Sequence, residues 1–150
     1  SLSFSNCKKE NQSEKNPYLD ADTIESLEFG WLGDCMVSLD FDCTKVFKIS
    51  NGQLFADNYE FGSQITYESE PLDASKYSVS EELLEIFPKS LAQFHEQKVG
   101  KFKCADQDLY YVKIKTPDLD KKWFLDPYDD DLNGKILEFR DKIIEVLDEL

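Results

Sequence analysis

The sequence predicts an α+β fold: one antiparallel sheet of about five to seven strands with two helices packed on one face. Three observations carry this expectation. Cys35-Met36-Val37-Ser38-Leu39-Asp40-Phe41 alternates with a period of two, as a central antiparallel strand with one buried face does. Asn51-Gly52 supplies the two positive-φ positions of a type I′ hairpin turn. Ile136, Phe139, Ile143, Val146, Leu147 and Leu150 recur at helical spacing and define the apolar stripe of a C-terminal helix.

In chain order, residues 23–29 read as a strand in which Leu27 and Phe29 share a face, and Gly30-Trp31-Leu32-Gly33-Asp34 reads as a turn cluster. The strand at 35–41 follows, the chain reverses at Asp42-Cys43-Thr44, and residues 45–50 return. A two-residue turn at Asn51-Gly52 pairs Ile49 with Leu54 and Phe47 with Ala56, which completes a three-stranded meander over 35–57. Another strand is expected at 62–68. Ser78 and Glu81 match a capping box ahead of Leu83, Phe87, Leu91 and Phe94. Pro88 falls inside that pattern and deletes a backbone donor, so a kink or two short helices should meet there. Residues 98–115 read as a second hairpin, Thr116-Pro117-Asp118 as a break, and 122–125 as a short apolar edge.

Composition bounds the function. A chain of 150 residues, 41% hydrophobic and 13% aromatic, suits a single domain with one core. Its formal charge of −14 argues against nucleic acid and against anionic membrane surfaces as partners of the domain body, and leaves basic proteins, cations or neutral ligands. No run approaches the length of a transmembrane helix. Of the four cysteines, Cys35 and Cys43 stand too far apart along an extended segment to bridge. Cys104 could pair with either, and free buried thiols are the simpler reading.

Four groups of residues are candidates for chemistry or contact. Asp129, Asp131 and Asn133, with Gly134 and Ile136, match the first half of an EF-hand-type calcium loop. The twelfth position, which should hold a bidentate carboxylate, is Arg140, and a strand and turn rather than a helix precede the loop. An acidic turn with Asp131 or Asn133 as N-cap is the competing reading. His95 is the only histidine and has no nucleophile motif or short-spaced zinc ligands beside it, so it reads as structural. Lys101, Lys103, Tyr111, Lys113 and Lys115 line up on one strand face of the 98–115 hairpin, a cationic and aromatic contact face on an acidic body; lysines there also discourage edge pairing. No cofactor motif and no catalytic signature stands out, so the chain reads as non-enzymatic, with no positive sign for a hydrolase of dispersed residues.

The fourth candidate is Cys7. Ser1-Leu2-Ser3-Phe4-Ser5-Asn6 leads into Cys7 and then into the polar Lys8-Lys9-Glu10-Asn11-Gln12-Ser13-Glu14-Lys15-Asn16. This arrangement resembles the end of a bacterial lipoprotein signal peptide, its lipidated cysteine and a tether, in particular those of Bacteroidota-type bacteria. Asn6 departs from the small residue that the strict pattern places before the cysteine. The resemblance implies a residual signal tail at 1–6, a tether at 7–17 and a single α+β domain at 18–150. That domain is similar to small uncharacterised domains of bacterial lipoproteins. It further implies lipid on Cys7 as the only membrane attachment, and a place on the periplasmic face or the cell surface of the bacterial envelope. The function expected is then a lipid-anchored extracytoplasmic domain with a binding or envelope-associated role. The alternative is an acidic inhibitor or immunity-type protein that masks a basic enzyme surface.

Overall fold

A computed structural model describes residues 16–33, 44–58, 64–102, 108–128 and 131–150. Six strands form one mixed sheet: β1 (Ser26–Leu32), β2 (Thr44–Ser50), β3 (Gln53–Ala56), β4 (Lys98–Val99), β5 (Leu109–Thr116) and β6 (Leu119–Leu125). Their spatial order is β3-β2-β1-β5-β6-β4. All neighbours are antiparallel except β4 and β6, which run parallel. Three short helices, α1 (Ala74–Ser80), α2 (Glu82–Glu85) and α3 (Lys89–Ala92), lie between β3 and β4, and α4 (Gly134–Glu149) closes the chain. The class is α+β.

Strand register sorts the side chains into two rows of opposite character. Phe29 stands between Phe47 and Val112, and Val112 is opposite Trp123. Leu27 stands between Ile49 and Ile114, and Ile49 is opposite Leu54. These residues, all buried, form one core with Leu83, Phe87 and Leu91 and with the α4 stripe Ile136, Phe139, Ile143, Val146 and Leu147. Phe87 joins the parts, its ring 6.0 Å from that of Trp123 and 5.1 Å, edge-on, from that of Phe139. Such aromatic pairs add about 0.5–1.5 kcal/mol beyond the area they bury.

The hairpin at Asn51-Gly52 forms with the expected register, Ile49 to Leu54 and Phe47 to Ala56, and both turn residues have positive φ (53° and 71°). The rest of the expected meander differs. Residues 35–41 lie outside the described residues, and the place beside β2 belongs to β1. Gly30-Trp31-Leu32 is the end of that strand and not a turn. Gly30 is there because the neighbouring strand comes very close: a Cβ on it would stand 2.2 Å from the Lys45 carbonyl oxygen and 2.5 Å from the Val46 Cα. A glycine read from sequence as a turn former is here a site of close backbone approach.

Two helical expectations shift and one is met. The first helix begins four residues before the proposed capping box, after Asp73, with Tyr77 N–H donating to the Asp73 carbonyl. The Ser78 hydroxyl donates to the Ala74 carbonyl, inside the helix, and Glu81 follows its last residue. What moves the start is the docking of the preceding segment, where Leu72 N–H donates to the Leu54 carbonyl of β3. Pro88 does divide short helices: it is extended (φ −76°, ψ 134°), α2 ends before it, and its carbonyl accepts from Leu91 and Ala92 at the start of α3. The entering chain is strapped to this break, with Leu19 N–H donating to Phe87 O and Lys89 N–H to Pro17 O. The C-terminal helix forms over the expected stripe, with Arg140 buried beside it.

The expected hairpin over 98–115 does not form. β4 pairs in parallel with β6, and the hairpin partner of β5 is β6, across Thr116–Leu119. The expected edge at 122–125 is thus part of a seven-residue strand enclosed on one side by β5. Of the strand expected at 62–68, residues 62 and 63 are outside the described residues, and Tyr67 makes only an isolated bridge to Asp57. The close approach at Gly30 gives a direct test: Gly30→Ala should lower unfolding free energy by about 1–3 kcal/mol through overpacking, read as a lower urea midpoint at unchanged slope.

Candidate functional site: the lysine-bearing sheet face and the edge of β6

The face opposite the core is built around one carboxylate. Glu28 of β1 stands directly between Lys48 of β2 and Lys113 of β5, and Lys113 is opposite Lys122 of β6. Strand alternation thus sets a row of Lys, Glu, Lys and Lys across four adjacent strands. Glu28 is only 8% exposed. A carboxylate this buried needs donors. Tyr67 supplies one, its hydroxyl 2.5 Å from Glu28 Oε1, and Lys113 Nζ lies 4.0 Å from Oε2. Lys48 Nζ in turn sits 5.8 Å from the centroid of the Tyr67 ring.

Tyr111, one pair further along β5, is buried with its ring 6.0 Å from that of Phe124. Burial pushes the Tyr67 hydroxyl far above its ordinary pKa, and the hydrogen bond to Glu28 and the charge of Glu28 add to the rise. Burial raises Tyr111 as well, and the charge of Glu28 works in the same direction. Both phenols therefore stay protonated and act as donors; neither is a nucleophile at neutral pH. The arrangement is a satisfied polar centre inside a cationic row.

The proposed contact residues divide. Tyr111, Lys113 and Lys115 share this face, as alternation along β5 requires. Lys101 instead follows β4 in a loop, and Lys103 lies outside the described residues. Lys48 and Lys122 are members that sequence reasoning missed. The signal for Lys122 was its position, six residues beyond the Pro117-Asp118 turn from Thr116, which pairs it with Lys113 once β5 and β6 are taken as the hairpin. Lys48 could be found only by placing β1 beside β2.

At its outer side this face meets a cleft of about 410 Å³ lined by His95, Glu96 and Gln97 and by Lys113 and residues 120–123. Trp123 Nε1 and Lys121 Nζ both donate to the Phe94 carbonyl, which anchors the inner wall. His95, read as structural, is exposed at the rim.

The calcium candidates are arranged around Asp126, which follows β6. Asp126 is fully buried. Burial raises its pKa, but backbone donors from Tyr128 and Phe102, the Asp131 side chain and the Lys101 N–H outweigh burial and hold the carboxyl below the usual range. Asp131 is thus directed at Asp126, Asn133 is the exposed N-cap of α4 without a side-chain cap bond, and Asp129 is outside the described residues. Arg140, at the twelfth position, lies beneath the loop: its Nη1 donates to the carbonyls of Pro127 (2.6 Å) and Asp126 (3.3 Å), and Nη2 to Asp141 Oδ1 (2.6 Å). A guanidinium holds the loop where a calcium-binding loop would bring a carboxylate. Among the described residues, no group of three or more His, Cys, Asp or Glu side chains could hold a metal ion. Cys7, Cys35, Cys43 and Cys104 are all outside the described residues. Among the described residues, no helix is long and apolar enough to cross a membrane.

Comparison with known proteins finds no matching family model and no matching curated protein.

Two pH effects follow. A tyrosine whose folded pKa is raised contributes stability that is complete below its unfolded value, about 10, and is lost as pH rises beyond it. Tyr67→Phe should therefore flatten the loss of stability above about pH 10, and at pH 7 should cost about 1–3 kcal/mol because buried Glu28 loses a donor. Asp126 has the opposite sign. Its depressed pKa contributes stability that is complete above the unfolded value, about 3.9, and is lost as pH falls below it. Asp126→Asn should be less stable at pH 7 and lose less on acidification than the parent, as measured by denaturant titrations between pH 2.5 and 7.

Proposed function

We propose that this chain is a non-enzymatic binding domain, lipid-anchored through Cys7 on the extracytoplasmic side of a bacterial envelope, whose lysine-bearing sheet face contacts the partner. The observation that carries the reading is the concentration of Lys48, Lys113, Lys115 and Lys122 on one sheet face of a chain whose formal charge is −14. Lysines spread over an acidic protein for solubility alone need not collect on one face of three strands. A field of opposite sign confined to one face orients a domain against its partner during encounter. The polar centre suits contact better than chemistry, because its carboxylate and phenols are engaged with one another and the phenols are held protonated. In this reading the lipid on Cys7 is the anchor and the polar run after it gives the reach.

A second reading has its own observation. The exposed side of α4 carries Glu138, Asp141, Glu145, Asp148 and Glu149, an acidic strip of the kind an inhibitor or immunity-type protein would lay on a basic enzyme. Anchoring separates the two readings. Expressed from its full-length gene in a bacterial host, the protein should fractionate with membranes, and its N-terminal peptide should carry the mass of a lipidated Cys7. Cys7→Ser should release it to the soluble fraction. An unmodified N-terminus upstream of Cys7 in a soluble protein would reject the anchored reading and leave the inhibitor reading in its place.

A further inference from the structure

β6 is bordered by β4 for only two residues. Lys98 pairs with Phe124 and Val99 with Leu125, and among the described residues nothing pairs with the same side of β6 before Phe124. The direction of the free groups follows from strand geometry. Phe124 N–H donates outward to Gln97 O and Asp126 N–H to Val99 O. Alternate residues of a strand present their N–H and C=O to the same side, so Lys122 and Asp120 also point theirs outward. The cleft lies along this stretch, between residues 95–97 and residues 120–123. Its lining combines Lys113 and Lys122 from the cationic face with Lys121 and Trp123 from the core face, so it wraps the strand edge.

The charge around the edge selects the occupant. Lys113, Lys121 and Lys122 line the cleft with His95, against Glu96 and Asp120, and Asp120 already stands opposite Lys115 on β5. Positive charge is therefore in excess at this edge of an acidic chain. Lysines on an open edge repel cationic strands, and neutral strands must desolvate them to pair, which protects the protein from indiscriminate pairing. The same lysines admit a strand that brings carboxylates.

We propose that the outer edge of β6 at residues 120–122 takes an extended acidic peptide segment of a partner protein by strand addition. Main-chain hydrogen bonds to Asp120 and Lys122 hold the segment, and its carboxylates meet Lys113, Lys121 and Lys122. This rests on the reading of the chain as a binding domain and names the partner chemistry of that same face.

The probe is a fluorescent eight-residue peptide alternating Glu and Val, titrated against the whole 150-residue chain. Three controls accompany it: the same peptide N-methylated at alternate residues, a Lys/Val counterpart, and a rise in salt. The Glu/Val peptide should bind, at least tenfold more weakly at 0.5 M salt than at 0.05 M, and should slow hydrogen exchange at the amides of Asp120 and Lys122. The N-methylated and Lys/Val peptides should bind at least tenfold more weakly. Lys121→Glu combined with Lys122→Glu should remove binding. Lys122→Pro, which deletes an outward N–H and leaves the pairing with β5 intact, should do the same at unchanged side-chain charge on Lys121 and Lys113. Far-UV circular dichroism checks that each variant is folded. Equal binding of the N-methylated peptide, equal binding of the Lys/Val peptide, or no binding of the Glu/Val peptide overturns strand addition. A membrane-anchored, lipidated protein that binds no Glu/Val peptide sinks this inference alone, and a soluble, unlipidated one that binds it sinks only the anchoring.

Discussion

The buried carboxylate of Asp126 decides how the end of the sheet is finished. It accepts from the Phe102 N–H at 2.8 Å and from the Tyr128 N–H at 2.9 Å. To reach it, the chain after β4 bends through positive φ at Gly100 (116°) and at Phe102 (50°), the latter a conformation that a residue with a Cβ adopts at a cost. Charge-assisted hydrogen bonds from backbone donors offset that cost. Gly100 is needed at its place, since a Cβ there would stand 2.3 Å from that of Asp126. Because the chain is drawn aside at residues 100–102, β4 stops after two residues and its parallel pairing with β6 ends at Val99 and Leu125. Arg140 reaches the same point from α4 and ties the helix to the end of β6 through the carbonyls of residues 126 and 127.

The two sides of the sheet answer different demands. One is apolar and continuous with the core, where Phe87 links Trp123 to Phe139. The other is polar, yet its centre is nearly as well buried, because the segment carrying Tyr67 folds over Glu28. That segment is held by Asp57, whose carboxylate accepts from Val46 N–H at 2.9 Å, and by the pairing of Glu68 N–H with the Ala56 carbonyl. A polar centre of this kind is costly if any member is left unsatisfied, so its members constrain one another's positions. Lys113 beside it keeps a side chain that is 40% exposed.

What could be read from sequence was what depends on neighbours in the chain. The Asn51-Gly52 turn, the break at Pro88 and the stripe on α4 are local devices, and the residues that carry them are sufficient to place them. The α+β class follows from the same local signals. What was misread depends on contacts between distant segments. Gly30 looks like a turn former in the sequence because its reason, the backbone of β2 pressed against it, is not visible in its own neighbourhood. The capping box at Ser78 and Glu81 lost to a tertiary contact, the docking of Leu72 on Leu54. Residues 98–102 carry strand-forming side chains, but Asp126, more than twenty positions later, redirects them. The lysine-bearing face is half legible for the same reason: alternation along β5 is enough for Tyr111, Lys113 and Lys115, whereas Lys48 and Lys122 require knowing which strands flank it. Glu28 carries no signal of its own in the sequence, because its importance comes from Tyr67, which reaches it from a segment on the far side of β2 and β3.

The central position of β1 has a kinetic consequence. The β2–β3 and β5–β6 hairpins close over short loops and so assemble early, each on its own. Joining them requires Leu27 to find Ile114 and Phe29 to find Val112, residues that the chain keeps more than eighty positions apart. That search must close a long loop before any of the sheet's central contacts reward it. The docking of β5 against β1 is then the step that sets the refolding rate, and until it occurs each half of the chain exposes an unpaired central strand, the state in which this protein is most open to self-association.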